Sequence, residues 1–99
     1  EIRTVAADDV WLSAAYQRPS ACIHFTWKQD PEGVQAVLPE VEAALAPFAP
    51  RPHWGKVFTL APEVVQAHYP HLADFRALRE RMDPRGTFAN EYVDRMIGR

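Results

Sequence analysis

Ser20-Ala21-Cys22-Ile23-His24-Phe25-Thr26-Trp27-Lys28 is the stretch that decides the fold. Ala21, Ile23, Phe25 and Trp27 fall on one side of an extended chain, and Cys22, His24, Thr26 and Lys28 on the other. That period-two alternation is the mark of a half-buried strand. Upstream, residues 1–7 alternate in the same way, with Glu1, Arg3 and Val5 on one face and Ile2, Thr4 and Ala6 on the other. Asp8-Asp9 ends that run. Val10 to Tyr16 has no clear period, although Trp11, Leu12 and Tyr16 are suited to cover a core, and Gln17-Arg18-Pro19 reads as a turn. Despite the long connection, the two runs are expected to be antiparallel neighbours. The Glu1/Arg3 face and the His24/Thr26 face then lie on one side of the sheet.

Working outward, Asp30-Pro31 starts a helix, with Asp30 as cap and Pro31 at the first helical position. Val34, Val37, Leu38, Val41 and Leu45 form its apolar stripe. Pro39 interrupts that stripe and predicts a kink or restart. Pro47 and Pro50 end the helix. Lys56 to Leu60 reads as a short strand, and Pro62 opens a short helix that stops before Pro70. His71 to Met82 is a second amphipathic helix with Leu72, Phe75 and Leu78 inward. Asp83-Pro84-Arg85-Gly86 is a turn, and Asn90 caps a last helix in which Tyr92 and Met96 share a face. The expected class is α+β: a small antiparallel sheet covered on one side by helices, followed by a helical C-terminal tail.

Ninety-nine residues make at most one domain, and 47% apolar content with three tryptophans argues for a packed chain over a disordered one. The net charge is −2, acids and bases are interspersed, and no basic stripe marks a nucleic-acid partner. No apolar run is long enough to span a bilayer, and no signal peptide is evident. The single cysteine, Cys22, has no internal disulfide partner, which fits a reducing, cytoplasmic setting; it reads as a small buried filler. His68 and His71 lack a third ligand, so no metal site is expected. The first residue is Glu1, inside a strand pattern, so a piece of a longer protein is expected.

The chemistry concentrates at Arg51-Pro52-His53-Trp54-Gly55-Lys56, where cations, an imidazole and an indole crowd around a glycine after a proline. Glu1, Arg3, His24 and Thr26 add an acid, a cation, a second imidazole and a hydroxyl. Such a set can grip a neutral, hydroxyl-rich molecule, because Arg forks two donors and a carboxylate accepts. Each member also has a plain reading. Glu1 and Arg3 make an ordinary surface ion pair, His24 a satisfied strand histidine, and Lys56 a solvated lysine. The tryptophans pack first.

These motifs resemble the alditol oxidases, a branch of the vanillyl-alcohol-oxidase superfamily of FAD enzymes that also holds the sugar-lactone oxidases and dehydrogenases. The resemblance is carried by Glu1-Ile2-Arg3-Thr4-Val5-Ala6, His24-Phe25-Thr26-Trp27, Arg51-Pro52-His53-Trp54-Gly55-Lys56, and Asp83-Pro84, Gly86, Phe88 and Asn90. It implies that residues 1–60 are the C-terminal part of a substrate-binding cap domain. Residues 61–99 are then a helical tail packing on an FAD-binding domain outside this sequence. It implies that Glu1, Arg3, His24, Thr26 and Lys56 line a polyol pocket, with Arg3, Lys56 and His24 as catalytic candidates. His53 either contacts the flavin or braces its loop. The implied reaction is oxidation of the terminal CH–OH of xylitol or sorbitol by oxygen, giving an aldose and hydrogen peroxide, with the isolated chain inactive. The implied partners are the polyol, oxygen and the FAD domain, with no nucleic acid and no membrane. A bare apolar surface would let the fragment self-associate. Two alternatives stand beside this: a sugar-1,4-lactone oxidase or dehydrogenase cap, and a non-enzymatic binding or dimerisation module.

Overall fold

The computed structural model describes residues 1–98. Two strands, β1 (Ile2–Val5) and β2 (Ser20–Ile23), are followed by α1 (Pro31–Leu45) and a short 3-10 turn, Ala46–Phe48. Three further helices are α2 (Pro62–Gln66), α3 (Leu72–Met82) and α4 (Glu91–Ile97). This is the α+β class with a small antiparallel sheet and a helical C-terminal half, as the patterning predicts.

The register pairs Ile2 with Ile23, Arg3 with Cys22, Thr4 with Ala21 and Val5 with Ser20. Directly opposed residues share a face, so Arg3 and Cys22 lie on one side and Ile2 and Ile23 on the other. The long connection closes on itself. Asp8 N donates to Ala15 O (3.1 Å), Gln17 N donates to Asp8 O (2.8 Å), and the Ser13 hydroxyl donates to Asp8 Oδ2 (2.5 Å). Gln17 turns the chain back with φ +53°, and β2 then returns along β1.

Several details differ from the sequence expectation, each for a local reason. β2 ends at Ile23 instead of reaching Lys28: the last backbone pairing is between Glu1 and His24 (2.8 and 2.9 Å), and among the described residues 25–28 pair with no strand. Pro39 neither breaks nor restarts α1, which is continuous over 15 residues. A proline costs the helix one N–H, and the carbonyl it leaves belongs to Gln35, which is exposed to water. Lys56 to Leu60 is not a strand. Its Thr59 amide donates to the Glu42 side chain, so it is unavailable to a ladder. Cys22 is exposed on β2, not buried.

The caps are as read. Asp30 Oδ1 accepts from Gly33 N (3.1 Å) at the start of α1, and Asn90 Oδ1 accepts from Val93 N (2.9 Å) at the start of α4. Val34, Leu38, Val41 and Leu45 are the covered residues of the α1 stripe, while Val37 lies outside it. The core sits among the C-terminal helices. Val65 (0% exposed), Tyr69, Leu72, Met96 (2%) and Ile97 form it, with Leu12, Trp54, Phe58 and Phe75 packed around. The apolar side of the sheet stays open in this chain: Ile2 is 73% exposed, Ile23 46% and Phe25 42%. Among the described residues, no helix is long and apolar enough to cross a membrane.

Met96→Ala should remove a filled core position and cost about 2–5 kcal/mol, whereas Val37→Ala should cost less than about 0.5 kcal/mol. Urea unfolding followed by circular dichroism measures both.

Asp83 gives a pH prediction. Its carboxylate accepts from the Phe88 amide (2.9 Å) and the Thr87 amide (2.8 Å), and these bonds, the Phe88 one foremost, hold its pKa below the usual value. A depressed folded pKa stabilises above the unfolded value and loses that stabilisation as pH falls through the folded one. The turn should therefore be unchanged from neutral pH down to about pH 4 and loosen only below that. Amide exchange at Thr87 and Phe88 reads it, and Asp83→Asn should remove the acid dependence.

Candidate functional site

Four of the sequence-predicted residues converge. Glu1 and Arg3 are two apart, so they share a strand face, and Glu1 Oε1 accepts from Arg3 Nε (2.7 Å) and Nη2 (2.5 Å). Across the sheet, His24 stands opposite Glu1, with Nδ1 3.7 Å from Glu1 Oε2. From the far side of the sequence, Lys56 Nζ reaches within 3.0 Å of His24 Nε2. The result is a chain, Arg3–Glu1–His24–Lys56, drawn from β1, the residues flanking β1 and β2, and one loop.

An ammonium has donors and no lone pair, so in the Lys56–His24 contact the lysine donates and Nε2 accepts. The imidazole proton then sits on Nδ1, the nitrogen facing Glu1. All four side chains lie at the surface, with Arg3 73%, Glu1 51% and His24 45% exposed. Their mutual ion pairing is therefore worth only about 0–1 kcal/mol. The cluster contributes little to holding the fold, and its donors and acceptors can exchange partners with a ligand.

Thr26 and His53 stand differently. Thr26 lies beyond the end of β2, exposed, and among the described residues it makes no hydrogen bond to the other four. His53 Nδ1 accepts from Gly55 N (3.0 Å), which is the bracing role for its loop.

The loop that delivers Lys56 is pinned upstream at two places. Arg51 donates through Nε to His68 O (2.9 Å) and through Nη1 to Tyr16 O (2.9 Å), and its guanidinium stands 5.4 Å from the Tyr69 ring centre. Burial, with Arg18 acting the same way, lowers the Arg51 pKa from its ordinary value. Burial also raises the Tyr69 pKa, while the Trp54 indole works in the opposite direction. The Trp54 Nε1 itself is buried without a well-formed hydrogen bond, lying edge-on to the Tyr69 ring (centroids 5.6 Å apart). On the other side of the loop, the Tyr92 hydroxyl on α4 donates to Trp54 O (2.5 Å).

Sequence reading finds Arg51 as the entrance to the motif but not its carbonyl partners. It places Tyr92 only on a core face and misses its hydroxyl. Beside Lys56, a shallow groove of about 380 Å³ runs along Val57 to Pro62 towards Tyr92 and Arg95. His71 is occupied elsewhere, with Nδ1 2.6 Å from Asp74 Oδ2 and its ring stacked on Trp11. Among the described residues, no group of three or more His, Cys, Asp or Glu is placed to hold a metal.

A family model described as D-arabinono-1,4-lactone oxidase matches residues 1–96. The alditol oxidase of Streptomyces sp. (strain IKD472 / FERM P-14339) is 50% identical over 93 residues, which is 94% of this chain and 22% of that protein. The L-gulono-1,4-lactone dehydrogenase of Mycobacterium tuberculosis is 35% identical over 98 residues, 99% of this chain and 23% of that protein. The L-gulonolactone oxidase of Scyliorhinus torazame is 34% identical over 101 residues, 96% of this chain and 22% of that protein. The chain therefore spans less than a quarter of the length of these relatives.

Arg51→Ala should free the carbonyls of His68 and Tyr16 and cost about 1.5–3 kcal/mol, the worth of hydrogen bonds from a charged donor. Urea unfolding checks this. Hydrogen exchange should rise in residues 51–56 before it rises in α3.

Proposed function

The chain belongs to the D-arabinono-1,4-lactone oxidase family, and on that premise we propose that it is the substrate-domain part of an FAD-dependent oxidoreductase acting on sugar alcohols. In this reading the whole protein oxidises the terminal CH–OH of an alditol such as xylitol or sorbitol with oxygen, giving an aldose and hydrogen peroxide. The observation that carries it is the joining of Arg3, Glu1, His24 and Lys56 into one exposed cluster from segments 1–3, 24 and 56. The 50% identity to an alditol oxidase supports the alditol over the lactone. Residues 1–60 then belong to the substrate-binding domain, and residues 61–99 to a helical tail packing on the FAD-binding domain. The open apolar side of the sheet goes with that, because a two-stranded sheet with exposed Ile2, Ile23 and Phe25 needs a cover. A cytoplasmic setting goes with it too.

The side chains suit the task. An alditol is uncharged, so it must be recognised through paired hydroxyls, and a buried partner left unpaired costs about 1–3 kcal/mol. Arg3 offers forked donors to adjacent hydroxyls, and Glu1 accepts from them. Oxidation takes a hydride from the terminal carbon and a proton from its oxygen. His24 Nε2, the acceptor in the Lys56 contact, is the atom that can take that proton or polarise the hydroxyl. Lys56 keeps two further donors for the substrate beyond the one spent on His24. Thr26 would join only on substrate binding. Bound FAD supplies the hydride acceptor. If FAD is held beside this cluster, Arg3 and Lys56 would supply fixed positive charge where negative charge develops during the reaction, an effect strongest in the transition state. His53 remains a second candidate to touch the flavin.

Membership of a family described by a lactone oxidase favours one rival reading, the same site acting on a sugar-1,4-lactone. In the full-length flavoprotein, Arg3→Ala and Lys56→Ala should each lower alditol turnover by about 100-fold or more with flavin content intact. Peroxide release should be faster with xylitol or sorbitol than with an aldonolactone. Near-normal turnover in both variants would remove these residues from the mechanism, and preference for the lactone would favour the rival.

A further inference from the structure

We propose that Glu42 is a positioning residue for Lys56. Glu42 lies on α1, and both its carboxylate oxygens are engaged by one residue of the Lys56 loop. Oε1 accepts from Thr59 N (2.6 Å) and Oε2 from Thr59 Oγ1 (2.5 Å). Among the described residues, the loop's other side-chain hydrogen bonds to its backbone anchors lie upstream, at Arg51 by the carbonyls of His68 and Tyr16 and at Trp54 by the Tyr92 hydroxyl, while downstream Phe58 and Leu60 pack against the core without fixing hydrogen-bond geometry. Residues 56–61 form no helix or strand, so the backbone beyond Lys56 has no ladder to set its path. Among the described residues, the Glu42–Thr59 pair is the side-chain hydrogen-bonded fastening on that stretch.

Geometry gives the fastening its consequence. Lys56 reaches His24 through a long, flexible stem at the surface, and a single contact of 3.0 Å holds it there. Where the ammonium can reach depends on where its backbone is held. The carboxylate grips Thr59 in two places, at amide and hydroxyl, which fixes orientation as well as distance. The clamp is a pair of surface hydrogen bonds that water can replace, so releasing it should displace Lys56 more than it unfolds the chain. A displacement of about 1 Å can cost as much as 100-fold in rate.

The inference rests on the reading of Lys56 as a substrate-facing cation, and a double-mutant cycle separates the two. In the full-length flavoprotein, xylitol oxidation is measured for wild type, Glu42→Ala, Lys56→Met and the double variant, with flavin content and melting temperature recorded for each. Glu42→Ala should lower kcat/KM about 10-fold in the wild-type background and leave it unchanged in the Lys56→Met background, because a positioning residue has nothing left to position. Glu42→Gln, which keeps one acceptor for the Thr59 amide and can donate to its hydroxyl, should recover most of the loss. Equal losses in both backgrounds, or no loss in either, overturn the inference while leaving Lys56 in its role. An unaffected Lys56→Met overturns the site reading and the inference with it. If Glu42→Ala fails to fold, Thr59→Val, which removes only the hydroxyl half of the clamp, takes its place in the same cycle.

Discussion

The antiparallel register of β1 and β2 is the constraint on which the site depends. Glu1 and His24 exchange backbone hydrogen bonds at 2.8 and 2.9 Å, and that pairing places their side chains on one face with Arg3. A slip of one residue would turn His24 to the apolar side and bring Ile23 opposite Glu1, because side chains alternate with a period of two. Among the described residues, the side-chain contacts across this pairing are exposed and weak. The closed loop between the strands protects the register, through the Asp8–Ala15 and Asp8–Gln17 backbone bonds and the left-handed turn at Gln17.

Stability and recognition occupy different parts of the chain. Val65, Tyr69, Leu72, Met96 and Ile97 make a dry core among α2, α3 and α4. The sheet and its polar cluster stand apart from that core, and the loop from Arg51 to Thr59 connects the two. Trp54 packs against the core and offers its carbonyl to Tyr92, while Lys56, two residues later, reaches out to His24. A surface cluster can bind and release a ligand because its pairings are weak. Its geometry is nonetheless specific, because the backbones carrying it are tied to something rigid.

How much of this the sequence reveals depends on the kind of interaction. The alternations in residues 1–7 and 20–28 give both strands and their common polar face, and Asp30, Asn90 and Pro62 mark helix starts through local chemistry. Strand length is not legible, because a strand extends only as far as its partner, and among the described residues Lys56 to Leu60 lacks one. Pro39 brings no restart, since one missing N–H opposite an exposed Gln35 is tolerable in a 15-residue helix. Cys22 is exposed where its residue type suggests burial, because its face of the sheet is open. The convergence of Glu1, Arg3 and His24 follows from strand period. That Lys56 meets them came from the family resemblance, and nothing in its neighbours' spacing predicts it. Glu42 is not legible: a half-buried glutamate flanking the apolar stripe of a helix carries no sign of a partner 17 positions away.

The central claim is that these side chains clasp one sugar alcohol, exchanging their contacts with one another for contacts with its hydroxyls. A crystal structure of the full-length flavoprotein with xylitol bound tests this most directly. The account predicts xylitol oxygens within about 3 Å of Arg3, His24 and Lys56. Xylitol bound elsewhere, with the Lys56–His24 and Arg3–Glu1 pairs intact and untouched, would contradict it.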